Sequence, residues 1–188
     1  MLNIVLFGAP GCGKGTQAQR LREKFNLNHI STGEVIRGEI ANDTELGRKM
    51  KGYIEAGQLA PDSLVIDIIA SYLASHRDVK GNIFDGFPRT TAQAEAFDRI
   101  LAEMGEKVDT MVYMDVPEEE LVRRILLRGK DSGRADDASE DVIRNRIEVY
   151  NAQTAVVADH YSKQGKYARV DGVGTMDEVF DRICDAVK

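Results

Sequence analysis

The chain is poor in cysteine: 188 residues contain only Cys12 and Cys184. They make no C-x-x-C pair and offer no zinc framework, so both are read as free thiols. Cations are also in the minority, 25 Lys and Arg against 31 Asp and Glu, for a net charge of −6. That balance argues against a general nucleic-acid binder, and a polyanionic ligand must then be met by locally gathered cations. No apolar run approaches bilayer-spanning length. The N-terminus enters an apolar segment without the charged leader of a signal peptide, so no membrane partner is expected and the expected compartment is the cytoplasm. Internal repeats and low-complexity tracts are missing too. What remains, 43% hydrophobic and 30% charged residues, is the composition of one soluble globular domain with enough chain to build a core.

The most informative stretch is Gly8-Ala9-Pro10-Gly11-Cys12-Gly13-Lys14-Gly15-Thr16. It follows the apolar run Ile4-Val5-Leu6-Phe7 and precedes helix-forming residues from Gln17 to Phe25. Strand, glycine loop and helix come in the order a phosphate cradle needs. Glycines let the backbone curl its N–H groups inward, the helix N-terminus adds a positive end, and Lys14 supplies an ammonium for the outer phosphates. Gly15 stands where the usual pattern has Ser or Thr, with Thr16 one place later. The plainer reading is a glycine-rich turn with no ligand. A bare connection has little use for three glycines in six residues followed by a lysine at a helix start.

Leu2 to Phe7 reads as a strand buried on both faces. Short apolar runs recur at Asn82-Ile83-Phe84, Thr110-Met111-Val112-Tyr113-Met114 and Tyr167-Ala168-Arg169-Val170. Helical patterns lie between them at residues 63–76, 91–103, 118–128 and 141–161, and a last helix opens at Thr175 with a capping box to Glu178. This alternation predicts an α/β protein with a parallel sheet, right-handed crossovers and a ligand beyond the carboxyl ends of the strands. Residues 31–60 predict two short helices, 33–41 and 44–56, without a strand. Residues 129–137, polar with two glycines, predict a mobile loop.

Asp85 ends the third apolar run and suits magnesium held through its water shell; the plainer reading is an acid that starts a turn before Gly86. Arg89 follows on the same edge, where a guanidinium can grip a phosphate with two parallel hydrogen bonds. Further along, Arg124 and Arg128 share a helix face, Arg134 lies in the glycine loop, and Arg144 and Arg146 begin the next helix. Any one alone reads as a solvated surface cation. Gathered around a mobile loop in an acidic chain, they suit the clamping of phosphate charge away from water. No Cys, Ser or His is flanked as an activated nucleophile would be, and His29, His76 and His160 read as structural or surface residues. A missing base fits direct transfer between bound phosphates, with positioning carrying the catalysis.

Four segments together resemble the adenylate kinase family: residues 8–17, Ile30-Ser31-Thr32-Gly33-Glu34-Val35-Ile36-Arg37, Asp85-Gly86-Phe87-Pro88-Arg89-Thr90, and Gly133-Arg134-Ala135-Asp136-Asp137. The likeness runs from the first strand to about Gly172, and in that family Gly-Thr after the lysine is normal. It implies a P-loop five-stranded parallel sheet and the reaction ATP + AMP = 2 ADP, in adenine nucleotide homeostasis, with Mg2+ accompanying ATP. The whole chain, 1–188, would be one kinase domain, with residues 31–60 as the AMP-binding subdomain, 127–137 as a short lid, and the remainder as core. By similarity Gly11, Cys12, Gly13, Lys14, Gly15 and Thr16 wrap the ATP phosphates, while Arg124, Arg128 and Gly174 border the ATP base and phosphates. Thr32, Arg37, Gln58, Leu59, Ala60, Gly86, Phe87, Pro88, Arg89 and Gln93 would hold AMP. Arg134 and Arg146 would bridge the two nucleotides, making Lys14, Arg89, Arg128, Arg134 and Arg146 the catalytic set. The lid lacks the cysteines of long forms, so no structural zinc is expected; a monomer is. The stretch from Asp137 to Arg146 is one residue longer than the family pattern, so Arg144 competes with Arg146. Uridylate-cytidylate kinases share most of these motifs but have Ala at the place of Thr32, whose hydroxyl can donate to an adenine edge. A non-catalytic P-loop switch would show an Asn-Lys-x-Asp sequence, absent here, and has no use for a second set of arginines.

Overall fold

Buried apolar segments organise the computed structural model, in which residues 1–187 are described; residue 188, the end of the expected domain, lies outside them. Strand β1 (Leu2–Phe7) is buried from Asn3 onward and β3 (Gly81–Asp85) along its whole length. Such runs are stable only between two covering layers. With β2 (Asn28–Ser31), β4 (Thr110–Asp115) and β5 (Tyr167–Asp171) they form a five-stranded parallel sheet in the order β2-β3-β1-β4-β5. The helices that connect and cover it are α1 (Lys14–Phe25), α2 (Thr32–Ala41), α3 (Glu45–Glu55), α4 (Asp62–Ser75), α5 (Thr91–Glu103), α6 (Glu118–Ser132), α7 (Glu140–Val149), α8 (Val157–Ser162) and α9 (Met176–Val187). The chain leaves β1 toward one edge and β3 toward the other. The crevice between their carboxyl ends is therefore the switch point where such sheets bind ligands.

Capping fixes several helix starts. Ser31, Thr44 and Thr90 accept from the backbone N–H three residues on. At α9 the box is reciprocal: Thr175 N donates to Glu178 Oε2 at 2.8 Å and Glu178 N to Thr175 Oγ1 at 3.2 Å. Phe97 of α5 meets Phe84 at 4.7 Å and Phe87 at 5.1 Å, both edge-on, which clamps the segment after β3 onto the core. At the opposite end of the sheet Asn28, Asn82 and Asn3 lie in register on β2, β3 and β1. There Asn82 Nδ2 donates to Asn3 Oδ1 at 3.0 Å, and Asn3 Nδ2 to the Lys107 carbonyl at 2.9 Å.

Three local expectations change. Residues 28–31 form an edge strand, with Ile30 as the single fully buried apolar residue; one such residue leaves no periodic signal. Helix α6 runs four residues past Arg128 and ends on Gly133 at φ 65°, so the expected 129–137 loop is a helix end followed by the 3-10 turn Ala135–Asp137. The expected helix over 141–161 is interrupted by a π turn, Tyr150–Thr154, which separates α7 from α8. Among the described residues no helix is long and apolar enough to cross a membrane.

Candidate active site

A cleft of about 470 Å³ opens at the carboxyl ends of β1 and β3. One wall is the loop after β1. Gly11 and Gly13 hold left-handed φ values of 84° and 97°, and a Cβ on Gly11 would sit 2.6 Å from Ile125 Cγ1. Only glycine gives this curl together with so close an approach to α6. The curl delivers the start of α1, with Lys14, Gly15 and Thr16, into the cleft. Lys14 Nζ donates to the carbonyls of Gly8 at 2.8 Å and Ala9 at 3.2 Å. Arg124 ties this loop to the one after β5, donating to the carbonyls of Cys12 at 3.4 Å and Gly172 at 3.2 Å.

Across the crevice, Asp85 ends β3 and is 8% exposed. Burial pushes its carboxyl up, but the hydrogen bond from His29 Nε2 to Oδ2, at 3.3 Å, and the neighbouring Lys14 and Arg89 charges outweigh it, so its pKa lies below the ordinary carboxylate value. An ionised, hard oxygen donor beside the start of α1 fits a divalent cation held through water. Among the described residues no group of three or more His, Cys, Asp or Glu gathers as a metal site. A cation here would draw its other oxygens from water and nucleotide.

The opposite wall is built on Gly86. Its carbonyl accepts from the buried Thr32 hydroxyl at 2.9 Å and from Arg89 Nε at 2.7 Å. Thr32 lines the cleft with its hydroxyl directed at that carbonyl. Gln93 accepts from the Arg89 N–H and donates to Asp62, which also accepts from Thr90. Between the walls stand the arginines. Arg128 grips Asp137 with two bonds of 2.8 Å. Arg146 reaches Asp137 at 2.9 Å and Asp136 at 3.3 Å. Burial and crowding by Arg134 bring Arg37 down to about 10, and burial with Arg128 nearby lowers Arg134. Guanidinium groups this close repel one another unless anions sit among them.

A glycine cradle with a lysine on one wall, Thr32 and Gly86 on the other and arginines converging between them suit phosphate-bearing ligands. Comparison with known proteins agrees. The family model described as adenylate kinase matches residues 6–166. The chain is 58% identical over 187 residues to the adenylate kinase of Bacteroides thetaiotaomicron, covering 100% of this chain and 98% of that one. It is 58% identical over 188 residues to that of Phocaeicola vulgatus, covering 100% and 99%, and 49% identical over 187 residues to that of Stenotrophomonas maltophilia, covering 100% of both. The chain belongs to the adenylate kinase family. Adenylate kinases are nucleoside monophosphate phosphotransferases, and the sheet and glycine loop are those the sequence resemblance implies.

Against the adenylate kinase pattern, the structure brings nearly all the expected site residues to one cleft. Gly11, Gly13, Lys14, Gly15, Thr16, Arg124, Arg128, Arg134 and Arg146 line it. So do Thr32, Arg37, Gln58, Leu59, Ala60, Asp85, Gly86, Phe87, Pro88, Arg89 and Gln93. Cys12 and Gly174 do not. Cys12 is buried at 1% exposure, and Gly174 lies against Glu178 and Arg182. Arg146 lies in the cleft, whereas Arg144 pairs with Glu118, Glu119 and Glu140 on the surface. Sequence reasoning gave no role to Asp136 and Asp137, although both stood in the recognised motif. His29 reads in sequence as a structural or surface residue, and Asp62 carries no reading there. Two adjacent acids between Arg134 and Arg146 were the available signal for the first pair; His29 and Asp62 have no local signal.

Proposed function

We propose that the chain transfers a phosphoryl group reversibly between MgATP and AMP, giving two ADP, and so serves adenine nucleotide homeostasis. The observation that carries this reading is the convergence of Arg89, Arg128, Arg134 and Arg146 between the glycine cradle and the Thr32–Gly86 pocket. The donor triphosphate lies along Gly11 to Thr16, with Lys14 leaving the Gly8 and Ala9 carbonyls for its outer phosphates. AMP lies against Thr32, Gly86 and residues 58–60, its phosphate on Arg37 and Arg89. Arg128 and Arg146 exchange their carboxylate partners for the oxygens of the transferring group and Arg134 joins them there, as the short lid at 127–137 closes and excludes water. Asp85 would hold the Mg2+ that accompanies ATP, and the ion would supply charge neutralisation on the donor phosphates. The acceptor phosphate is already an anion, so no side chain need remove a proton.

Thr32 gives the acceptor pocket a hydroxyl where uridylate-cytidylate kinases have Ala, and a hydroxyl can meet the polar edge of adenine, which supports AMP. An acceptor panel of AMP, GMP, CMP and UMP with MgATP tests this. AMP is expected to be strongly preferred. CMP used equally well or better would transfer the chain to the uridylate-cytidylate class, and no turnover with any acceptor would favour a nucleotide-binding switch.

A further inference from the structure

Asn145 lies between the surface Arg144 and the cleft Arg146, and its side chain has a partner from elsewhere in the fold. Its Nδ2 donates to the Ala56 carbonyl at 2.7 Å. Ala56 caps α3, so this is one of the carbonyls that a helix end leaves without an intrahelical partner. The next residue is closer still. Gly57 is buried with φ 71°, and a Cβ there would stand 2.7 Å from Arg146 Cγ and 3.0 Å from the Val142 carbonyl. Gln58, Leu59 and Ala60, which line the cleft, follow directly. The stem of Arg146 and the backbone leading to the acceptor wall therefore share one contact, and the Asn145 amide pins it.

We infer that Asn145 is a positioning residue that couples seating of the acceptor wall to placement of the Arg146 guanidinium. It touches neither reacting phosphate. It acts through Ala56 and Gly57, making one motion set the pocket that receives the monophosphate and the cation that meets its transferring group. A wall that is seated only part of the time lowers apparent acceptor affinity by that fraction. Donor binding, built on Gly11 to Thr16, is untouched. The inference rests on the phosphotransfer reading, with Arg146 at the transferring group.

The test compares Asn145→Ala, the isosteric Asn145→Asp, which cannot donate, and Asn145→Gln, which can, with Arg144→Ala as a surface control. Loss of one hydrogen bond predicts a KM for AMP raised about three- to tenfold in the Ala variant. The Asp variant should lose more, because its carboxylate faces the negative end of α3. KM for ATP and the melting temperature should hold, and Gln should restore most of the loss. Hydrogen exchange in residues 53–60 of the ligand-free Asp variant should quicken. An Asp variant that behaves as wild type overturns the inference, as does a parallel shift of both KM values with a falling melting temperature, the mark of a merely structural role. Arg146→Ala, run alongside, separates the two readings. If its turnover survives, the phosphotransfer reading of the site fails; if it is inactive while Asn145→Asp is normal, only the coupling fails.

Discussion

Asp137 holds two arginines at once, and the chemistry of the site turns on how it can release them. Its side chain is fully buried. Burial pushes its carboxyl up, but the two-pronged bond from Arg128 and the charge of Arg146 more than reverse this, so its pKa lies below the ordinary 3.8. The folded protein thus holds this proton less tightly than the unfolded chain does. The resulting stabilisation is complete above pH 3.8 and is lost as pH falls below it, through the folded value. The stability gap between wild type and Asp137→Asn, followed by denaturant titration, should narrow over that acid range; a constant gap would contradict the assignment. Arg89 poses a different case, because its side chain rests on a backbone carbonyl rather than on a buried acid. Arg89→Ala should keep its melting temperature and lose about 10²- to 10³-fold in turnover, as expected when one preorganised donor is removed. Normal turnover would remove Arg89 from the catalytic set.

Among the elements, the end of α6 and the turn Ala135–Asp137 bring Arg128, Arg134 and Asp136 to the cleft. Arg128 belongs to the helix, Asp137 to the turn, and Gly133 joins them. A bisubstrate dinucleotide that replaces Asp137 as partner to Arg128 and Arg146 should slow hydrogen exchange across residues 127–137, read by mass spectrometry; unchanged exchange would count against a lid. How legible these elements were follows from their surroundings. β1 stood out because central burial demands an unbroken apolar run, and α5 because Thr90 caps it and Ala94, Phe97 and Leu101 keep a helical period. β2 stayed hidden because an edge strand with polar flanks needs only Ile30. The π turn was invisible because Tyr150 to Thr154 continues a helix-compatible pattern. The same logic holds in the site. Glycine spacing and arginine placement are written locally, whereas Asp137 in sequence is one more acid in a polar loop, and only folding places it beneath Arg128 and Arg146.

On the scale of the whole molecule, a chain of net charge −6 sets Lys14 and six arginines against only Glu34, Asp85 and Asp136 in one cleft, and the rest of the chain is net acidic. Both halves of the proposed reaction lie within a single chain's cleft, which supports a monomer. Light scattering should give a mass near 20.8 kDa, and a dimer at working concentration would overturn that reading. The row of asparagines at the far end of the sheet bears on the same slot. A strand's side chains alternate between faces, so a slip of one residue in β3 would carry Asp85 to the opposite face of the sheet. The same slip would push the Asn82 amide, bonded to Asn3, into apolar surroundings, where an unmet hydrogen bond costs about 1–3 kcal/mol. An apolar row would penalise that slip far less. The bonded Asn3–Asn82 pair thus acts as an alignment key, cut at the end of the sheet away from the chemistry and keeping the carboxylate at its other end on the correct side.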